Sequence, residues 1–161
     1  MGRIDKENYY LDIAQTVAGR STCLRRCYGA ILVKSDEIIS TGYNGAPRGR
    51  RNCVDLNYCT REALNIPSGE RYELCRSVHA EANAIISASR RDMVGGTLYL
   101  VGRNAQTGEL LTDATSCPMC RRMVINAGLA RVVIRRTPEE FTVVDVEEWV
   151  RTDDLALPEK I

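Results

Sequence analysis

The amino-acid sequence predicts an α/β sandwich built on a mixed sheet. Helical and strand patterns alternate through the second half of the chain, which implies right-handed crossovers and parallel pairing there. The first half instead holds two short apolar runs joined by a polar turn, the pattern of an antiparallel hairpin. The chain has 161 residues, 44% hydrophobic and 27% charged, enough for one domain with a real core. No internal repeat or low-complexity segment interrupts it, so residues 1–161 are read as a single domain.

Each element has its own signal. A helix is predicted from residue 5 to about 19, because Tyr9, Tyr10, Ile13, Ala14 and Val17 recur at three-to-four spacing. Asp5 suits its N-cap and Gly19 its stop. A polar connector, residues 20–27, leads to Tyr28-Gly29-Ala30-Ile31-Leu32-Val33, a buried strand. Lys34-Ser35-Asp36-Glu37 is a turn and Ile38-Ile39-Ser40-Thr41-Gly42 the returning strand. From Tyr43 to about Ser77 periodicity is lost, apart from a helical patch at 60–64. An unpatterned stretch of that length inside a compact domain needs something to tie it down, and it holds Cys53, Cys59 and Cys75. This Cys-containing insertion is placed at about 45–77.

A second helix is predicted from 78 to 90, followed by the Gly95-Gly96 break and the strand Thr97-Leu98-Tyr99-Leu100-Val101. Residues 102–116 form a polar loop with a small hairpin around Gln106-Thr107-Gly108-Glu109. A third helix spans 117–127, with Gly128 in the stop position. Arg131-Val132-Val133-Ile134-Arg135 is a strand. The tail, with Val143-Val144-Asp145-Val146 and Trp149-Val150, adds one more short strand or helix, packed on the core or on a partner subunit.

Composition excludes some function classes. The formal net charge is +1 and there is one phenylalanine, so neither a basic field nor an aromatic surface favours nucleic acid. No apolar run approaches the roughly 18–20 residues that cross a bilayer. The first residues lack the apolar region of a signal peptide, which makes a cytoplasmic location the expectation. Seven cysteines form an odd count that includes a C-x-x-C pair. In a reducing compartment, metal binding explains this better than disulfides.

The chemistry centres on His79-Ala80-Glu81, which contains the single histidine. Downstream lies Cys117-Pro118-Met119-Cys120. A catalytic zinc takes three protein ligands and keeps one position open; one imidazole and two thiolates meet that need. Cys117 and Cys120 sit at a helix start, where the dipole favours thiolate, and His79 sits at another. Zinc lowers the pKa of its water towards neutrality. Glu81, two residues past the histidine, can take the water's proton and pass it to a departing amine. A lone His-x-Glu means little, and a lone C-x-x-C is more often a redox pair or half a structural site. Together, on two helix starts separated by a strand, they point to a catalytic metal. A thioredoxin-like reading leaves the histidine unexplained.

H-x-E followed by P-C-x-x-C is the signature of zinc nucleobase deaminases; here Ser116 stands in the proline position. From Arg20 to about Arg135 the chain resembles the deoxycytidylate (dCMP) deaminase family. The stretches that carry this are Arg20-Ser21-Thr22-Cys23-Leu24-Arg25-Arg26, Thr41-Gly42-Tyr43-Asn44-Gly45-Ala46-Pro47, Ile66-Pro67-Ser68-Gly69-Glu70-Arg71, His79-Ala80-Glu81-Ala82-Asn83-Ala84-Ile85 and Ile125-Asn126-Ala127-Gly128. The resemblance implies a three-layer α/β/α sandwich with a five-stranded sheet, like that of cytidine deaminases. It implies hydrolysis of dCMP to dUMP and ammonia. Asn44 would contact the nucleotide, the Ala80 amide would hold the pyrimidine carbonyl and the Ser116 carbonyl would receive the exocyclic amine. Asn44-Gly45 also reads as a plain turn. The resemblance further implies a homo-oligomer, hexamer or dimer, with dCTP and dTTP as effectors.

Some members of that family carry a structural zinc ahead of the catalytic histidine, with ligands at the positions of Cys23 and Cys53. Cys59 and Cys75 would complete a closed four-cysteine shell here, leaving Cys27 as a small buried hydrophobe. Unliganded thiols or adventitious disulfides are the alternative. The substrate phosphate needs cationic donors, for which Arg26 and Arg48 are the choices, although Arg48 follows Ala-Pro where the family has a small residue. Two other functions fit the same zinc core: deamination of another nucleotide or of a tRNA base, and an inactive metal-stabilised binding or regulatory protein. Glu81 argues against the latter, because no structural role obviously requires a carboxylate there.

Overall fold

A computed structural model of the chain describes residues 2–152. Helix α1 (Lys6–Ala18) starts where Asp5 accepts a hydrogen bond from the Asn8 amide at 2.8 Å. Strands β1 (Arg26–Lys34) and β2 (Glu37–Tyr43) form the expected antiparallel hairpin. Its two-residue turn puts Ser35 and Asp36 at φ of 53° and 62°, the left-handed geometry that matches strand twist. The Asp36 carboxylate is held from α1 by the Tyr10 hydroxyl and by Lys6 at 2.8 Å.

Strand β3 (Thr97–Asn104) pairs antiparallel with β1, β4 (Arg131–Arg135) pairs parallel with β3, and β5 (Phe141–Asp145) pairs antiparallel with β4. The five-stranded sheet has the order β2-β1-β3-β4-β5. The parallel pairing expected for the second half is thus the β3–β4 pair alone; the tail strand returns antiparallel.

Alternation along the strands splits the core into two layers. Ile31, Val33, Tyr99, Val101 and Val133 face α1 with Tyr10, Leu11 and Ala14. Ala30, Leu32, Leu98, Leu100, Val132 and Ile134 face the other way. There they meet α4 (Ala80–Ile86), α5 (Arg90–Met93), α6 (Pro118–Ala127) and α7 (Val146–Thr152). The result is the three-layer sandwich that the resemblance implies.

Two differences have local causes. The single helix expected at 78–90 is two, because Ser89 recaps the chain: its hydroxyl accepts from the Asp92 amide at 3.3 Å and donates to the Asp92 carboxylate at 2.8 Å. The tail supplies a strand and then a helix, β5 and α7, rather than one of them. Within the insertion, the helical patch at 60–64 is α3 (Thr60–Ala63), joined by α2 (Cys53–Leu56) and a 3-10 turn at Tyr72–Leu74.

Candidate active site

β2 and β3 both run antiparallel to β1 and therefore share a direction. Helix α4 follows β2 and α6 follows β3, so both helices begin at the same edge of the sheet. That places His79, the N-cap of α4, beside Cys117, the N-cap of α6.

The start of α4 is fixed by backbone fit. A Cβ on Gly42 would lie 2.3 Å from the Ala80 oxygen and 2.4 Å from the Ala84 nitrogen, so only glycine lets the helix settle on β2. Ser40 Oγ donates to the Ala84 carbonyl at 2.7 Å, and Asn83 Nδ2 to the Tyr43 carbonyl at 2.8 Å. Gly45 and Val78 exchange backbone bonds of 3.1 and 2.7 Å just before His79. On α6, Pro118 occupies the first turn, Gly128 closes the helix at φ 79°, and the Cys117 sulfur accepts from the Cys120 amide at 3.4 Å.

His79 Nδ1 lies 3.5 Å from Cys117 Sγ and 3.4 Å from Cys120 Sγ. The three ligand atoms lie within 4.8 Å of one another, and among the described residues no other group of His, Cys, Asp or Glu does so. One imidazole and two thiols at this spacing match the zinc donor set of a catalytic site. Burial works against a charge on His79, but the thiols of Cys117 and Cys75 outweigh it and push its pKa up to about 10. The Cys120 thiol, hydrogen-bonded to Cys117, holds Cys117 low, and that same pairing raises Cys120. The Glu81 carboxyl is buried, 4% exposed, and burial raises its pKa.

A cavity of about 120 Å³ opens over this group. His79, Ala80, Glu81 and Cys117 line it, as do Asn44, Arg25, Arg26, Arg61, Tyr28 and Tyr72. Arg26 stands at the wall, 3.9 Å from Asp113. Arg48 is exposed and does not line the cavity; Arg25, the sequence neighbour of Arg26, lines it too, and so does Arg61, to which no signal in the sequence pointed. Asn44 is nearly saturated. Its Oδ1 accepts from Ser21 Oγ at 2.6 Å and the Tyr28 amide at 2.8 Å, and its Nδ2 donates to the Arg26 carbonyl at 2.8 Å. It pins the chain on both sides of the cavity and keeps one N–H free. Ser116 is fully buried and its carbonyl accepts from Arg121 Nε at 3.0 Å; its neighbours Thr115 and Cys117 reach the cavity, whereas Ser116 does not line it.

All seven cysteines are free thiols. Cys23, Cys53, Cys59 and Cys75 line one small cavity of about 20 Å³ beside the first. Cys23, Cys59 and Cys75 form part of both walls. The four sulfurs do not converge as closely as the His79 group does. Cys27 lies half-buried in β1.

The profile of the cytidine and deoxycytidylate deaminase zinc-binding region matches residues 4–136. A deoxycytidylate deaminase of Mycobacterium phage D29 is 36% identical over 138 residues, covering 83% of this chain and 96% of that protein. The dCMP deaminase of cyanophage S-TIM5, solved in apo form, superposes with a TM-score of 0.58 at 26% identity, covering 83% of this chain and 85% of the other. Its structure in complex with dCMP and dUMP gives a TM-score of 0.54 at 25% identity, covering 83% and 84%. The fold and the His-Cys-Cys group define a zinc-dependent deaminase, and the chain belongs to the cytidine and deoxycytidylate deaminase family.

Proposed function

We propose that this protein hydrolyses dCMP to dUMP and ammonia. The observation that carries the reading is the buried carboxylate of Glu81 beside a three-ligand zinc group, at the floor of an arginine-walled cavity. His79, Cys117 and Cys120 would hold the zinc, which when bound would supply the Lewis acidity that lowers the pKa of water towards neutrality. Glu81 is the general base and then the general acid: its carboxylate takes a proton from the attacking water and delivers it to the ring nitrogen, then takes the second proton from the hydroxyl newly bound to the ring and passes it to the leaving amine. The attacking oxygen stays on the ring and the amine leaves as ammonia, so the atoms balance.

Ala80 is the first residue of α4, and its amide has no partner in its own helix. We assign it to the pyrimidine carbonyl. Ser116 lies between two residues of the cavity wall, Thr115 and Cys117; its carbonyl, already bonded to Arg121, keeps a second lone pair, which we assign to the exocyclic amine once that wall gives way to it. Asn44 contributes its remaining N–H to the nucleotide. Arg26 takes the phosphate, with Arg25 beside it, in place of Arg48. The half-open cavity over the metal group, with Arg25, Arg26 and Arg61 on its wall, offers cations for a single phosphate.

We further propose a structural zinc held by Cys23, Cys53, Cys59 and Cys75, whose residues line one common cavity. Regulation by dCTP and dTTP, assembly into a hexamer or dimer and a cytoplasmic location complete the reading. No described helix is long and apolar enough to cross a membrane.

The test is an assay with dCMP, CMP, deoxycytidine, dCTP and an adenosine-containing tRNA loop. Turnover of dCMP that disappears in Glu81→Gln is expected. Turnover confined to RNA, or none by zinc-loaded protein, refutes the proposal. A zinc content of one per chain that is unchanged by Cys53→Ser removes the structural zinc from it.

A further inference from the structure

The insertion sends one aromatic side chain onto the metal-site histidine. The Tyr72 ring meets the His79 ring edge-to-face, with centroids 4.8 Å apart and planes at 88°. Behind it, the Arg61 guanidinium lies 4.6 Å from the centre of the Tyr72 ring. Arg61 is 7% exposed and is itself anchored: Nε donates to the Glu70 carbonyl at 3.0 Å and an Nη to the Pro67 carbonyl at 2.9 Å. The chain reverses at Arg71, a non-glycine residue at φ 53°, to deliver Tyr72 to this position. Such a conformation is strained for a residue with a Cβ and persists only where surrounding contacts impose it.

The Cys75 thiol of the insertion also bonds the imidazole, and Tyr72 adds a contact to the ring itself. His79 makes no side-chain capping bond to its own helix. Its Nδ1 faces two sulfurs, so a rotation about its outer bond removes the ligand atom from the group. Metal-binding histidines are held in orientation by contacts outside the ligand set.

We infer that Arg61 and Tyr72 are positioning residues for His79: the insertion clamps Tyr72 between a guanidinium and the imidazole, and so keeps Nδ1 turned towards the two thiols. Neither residue belongs to the H-x-E or C-x-x-C motif. The insertion thereby sets how firmly the catalytic site holds its metal. This rests on the reading of His79, Cys117 and Cys120 as zinc ligands, not on the identity of the substrate.

The test uses the zinc-loaded and cobalt-substituted protein. Zinc release into a chromogenic chelator reports the catalytic site through the phase that Cys117→Ser abolishes. The cobalt ligand-field bands report ligand geometry. Tyr72→Leu is expected to accelerate that phase about 10- to 100-fold and to shift the bands, with kcat falling more than KM changes. Tyr72→Phe keeps the ring and is expected to keep the wild-type release rate and bands. Arg61→Lys keeps the charge but loses the two-carbonyl anchor, and falls between them; it carries the test alone if Tyr72→Leu does not fold. Wild-type release and bands in folded Tyr72→Leu, or in Arg61→Lys, overturn the inference. So does a Tyr72→Phe protein as disturbed as Tyr72→Leu. A protein that gives the expected metal readouts but deaminates no nucleotide defeats the proposed function and leaves the clamp standing.

Discussion

Two regions meet at the cavity, and they are built on opposite principles. The helix starts that carry His79 and Cys117 are seated on the sheet by backbone fit and by fully buried apolar side chains. Residues 45–77 have two four-residue helices and one 3-10 turn. They rely on turn residues in left-handed backbone, among them Asn57, Asn65 and Arg71, and on side chains that bond carbonyls, such as Arg61. The sheet side fixes where the chemistry happens, and the insertion fixes how the cavity closes around it. A region with few buried apolar contacts opens locally more easily than the core, so the two halves respond differently to the same disturbance.

The largest expected effect is on the sheet side. Glu81→Gln keeps the volume but removes the proton carrier, and kcat should fall about 10²- to 10⁴-fold with thermal stability near wild type. Gly42→Ala comes next. Its Cβ would meet two backbone atoms of α4 at 2.3 and 2.4 Å, so the helix must move. A loss of about 1–3 kcal/mol is expected, with an activity loss beyond the unfolded fraction because His79 and Glu81 move too. Wild-type stability and kcat in the Gly42→Ala protein would remove the argument from close approach.

Metal removal should split the regions. With a chelator present, amide exchange should rise throughout residues 45–77 while β1, β3 and β4 stay protected. Uniform exchange across the chain would show that the insertion is no separate unit. Within the insertion, Gly49 is at φ 86° with open space around it. Gly49→Ala should cost about 1 kcal/mol from backbone strain alone and leave kcat within about two-fold.

The smallest effect lies at the hairpin turn. The hydrogen bond to Asp36 is the leading cause that pushes the Tyr10 pKa up to about 12. A raised pKa contributes stability that is complete below the ordinary tyrosine value near 10 and is lost as pH rises through about 12. Between those values the wild type should lose more stability in urea titrations than Tyr10→Phe. Parallel curves would show that the bond contributes nothing.

The sheet side was legible in the sequence because its signals are periodic. Tyr10, Ile13, Ala14 and Val17 declare a helix face, although Leu11 joins it and Tyr9 stays exposed, and Leu98 to Val101 declare a buried strand. His79, Glu81, Cys117 and Cys120 stand at motif spacing. The Ser89-Arg90-Arg91-Asp92 capping pattern was equally visible and separates α4 from α5, but the continuous apolar run masked it. The insertion was not legible, because side-chain-to-carbonyl bonds have no period. Nothing in the spacing of Arg61 and Tyr72 reveals that one lies over the other. Arg48 does not line the cavity for the same reason: proximity in sequence to Asn44 did not carry it there, whereas Arg25 and Arg26, before β1 and at its start, reach it.

The nearly saturated side chain of Asn44 has a chemical consequence. Asparagine followed by glycine is the dipeptide most prone to lose its own side-chain nitrogen, through attack by the next backbone amide on the carboxamide carbon. In the fold that attack is blocked twice: three hydrogen bonds hold the carboxamide, and the Gly45 amide donates to Val78. Both guards vanish when the chain unfolds. Each excursion therefore exposes the molecule to an irreversible change at a cavity wall. A deaminase that stays folded thus also protects itself from deamidation.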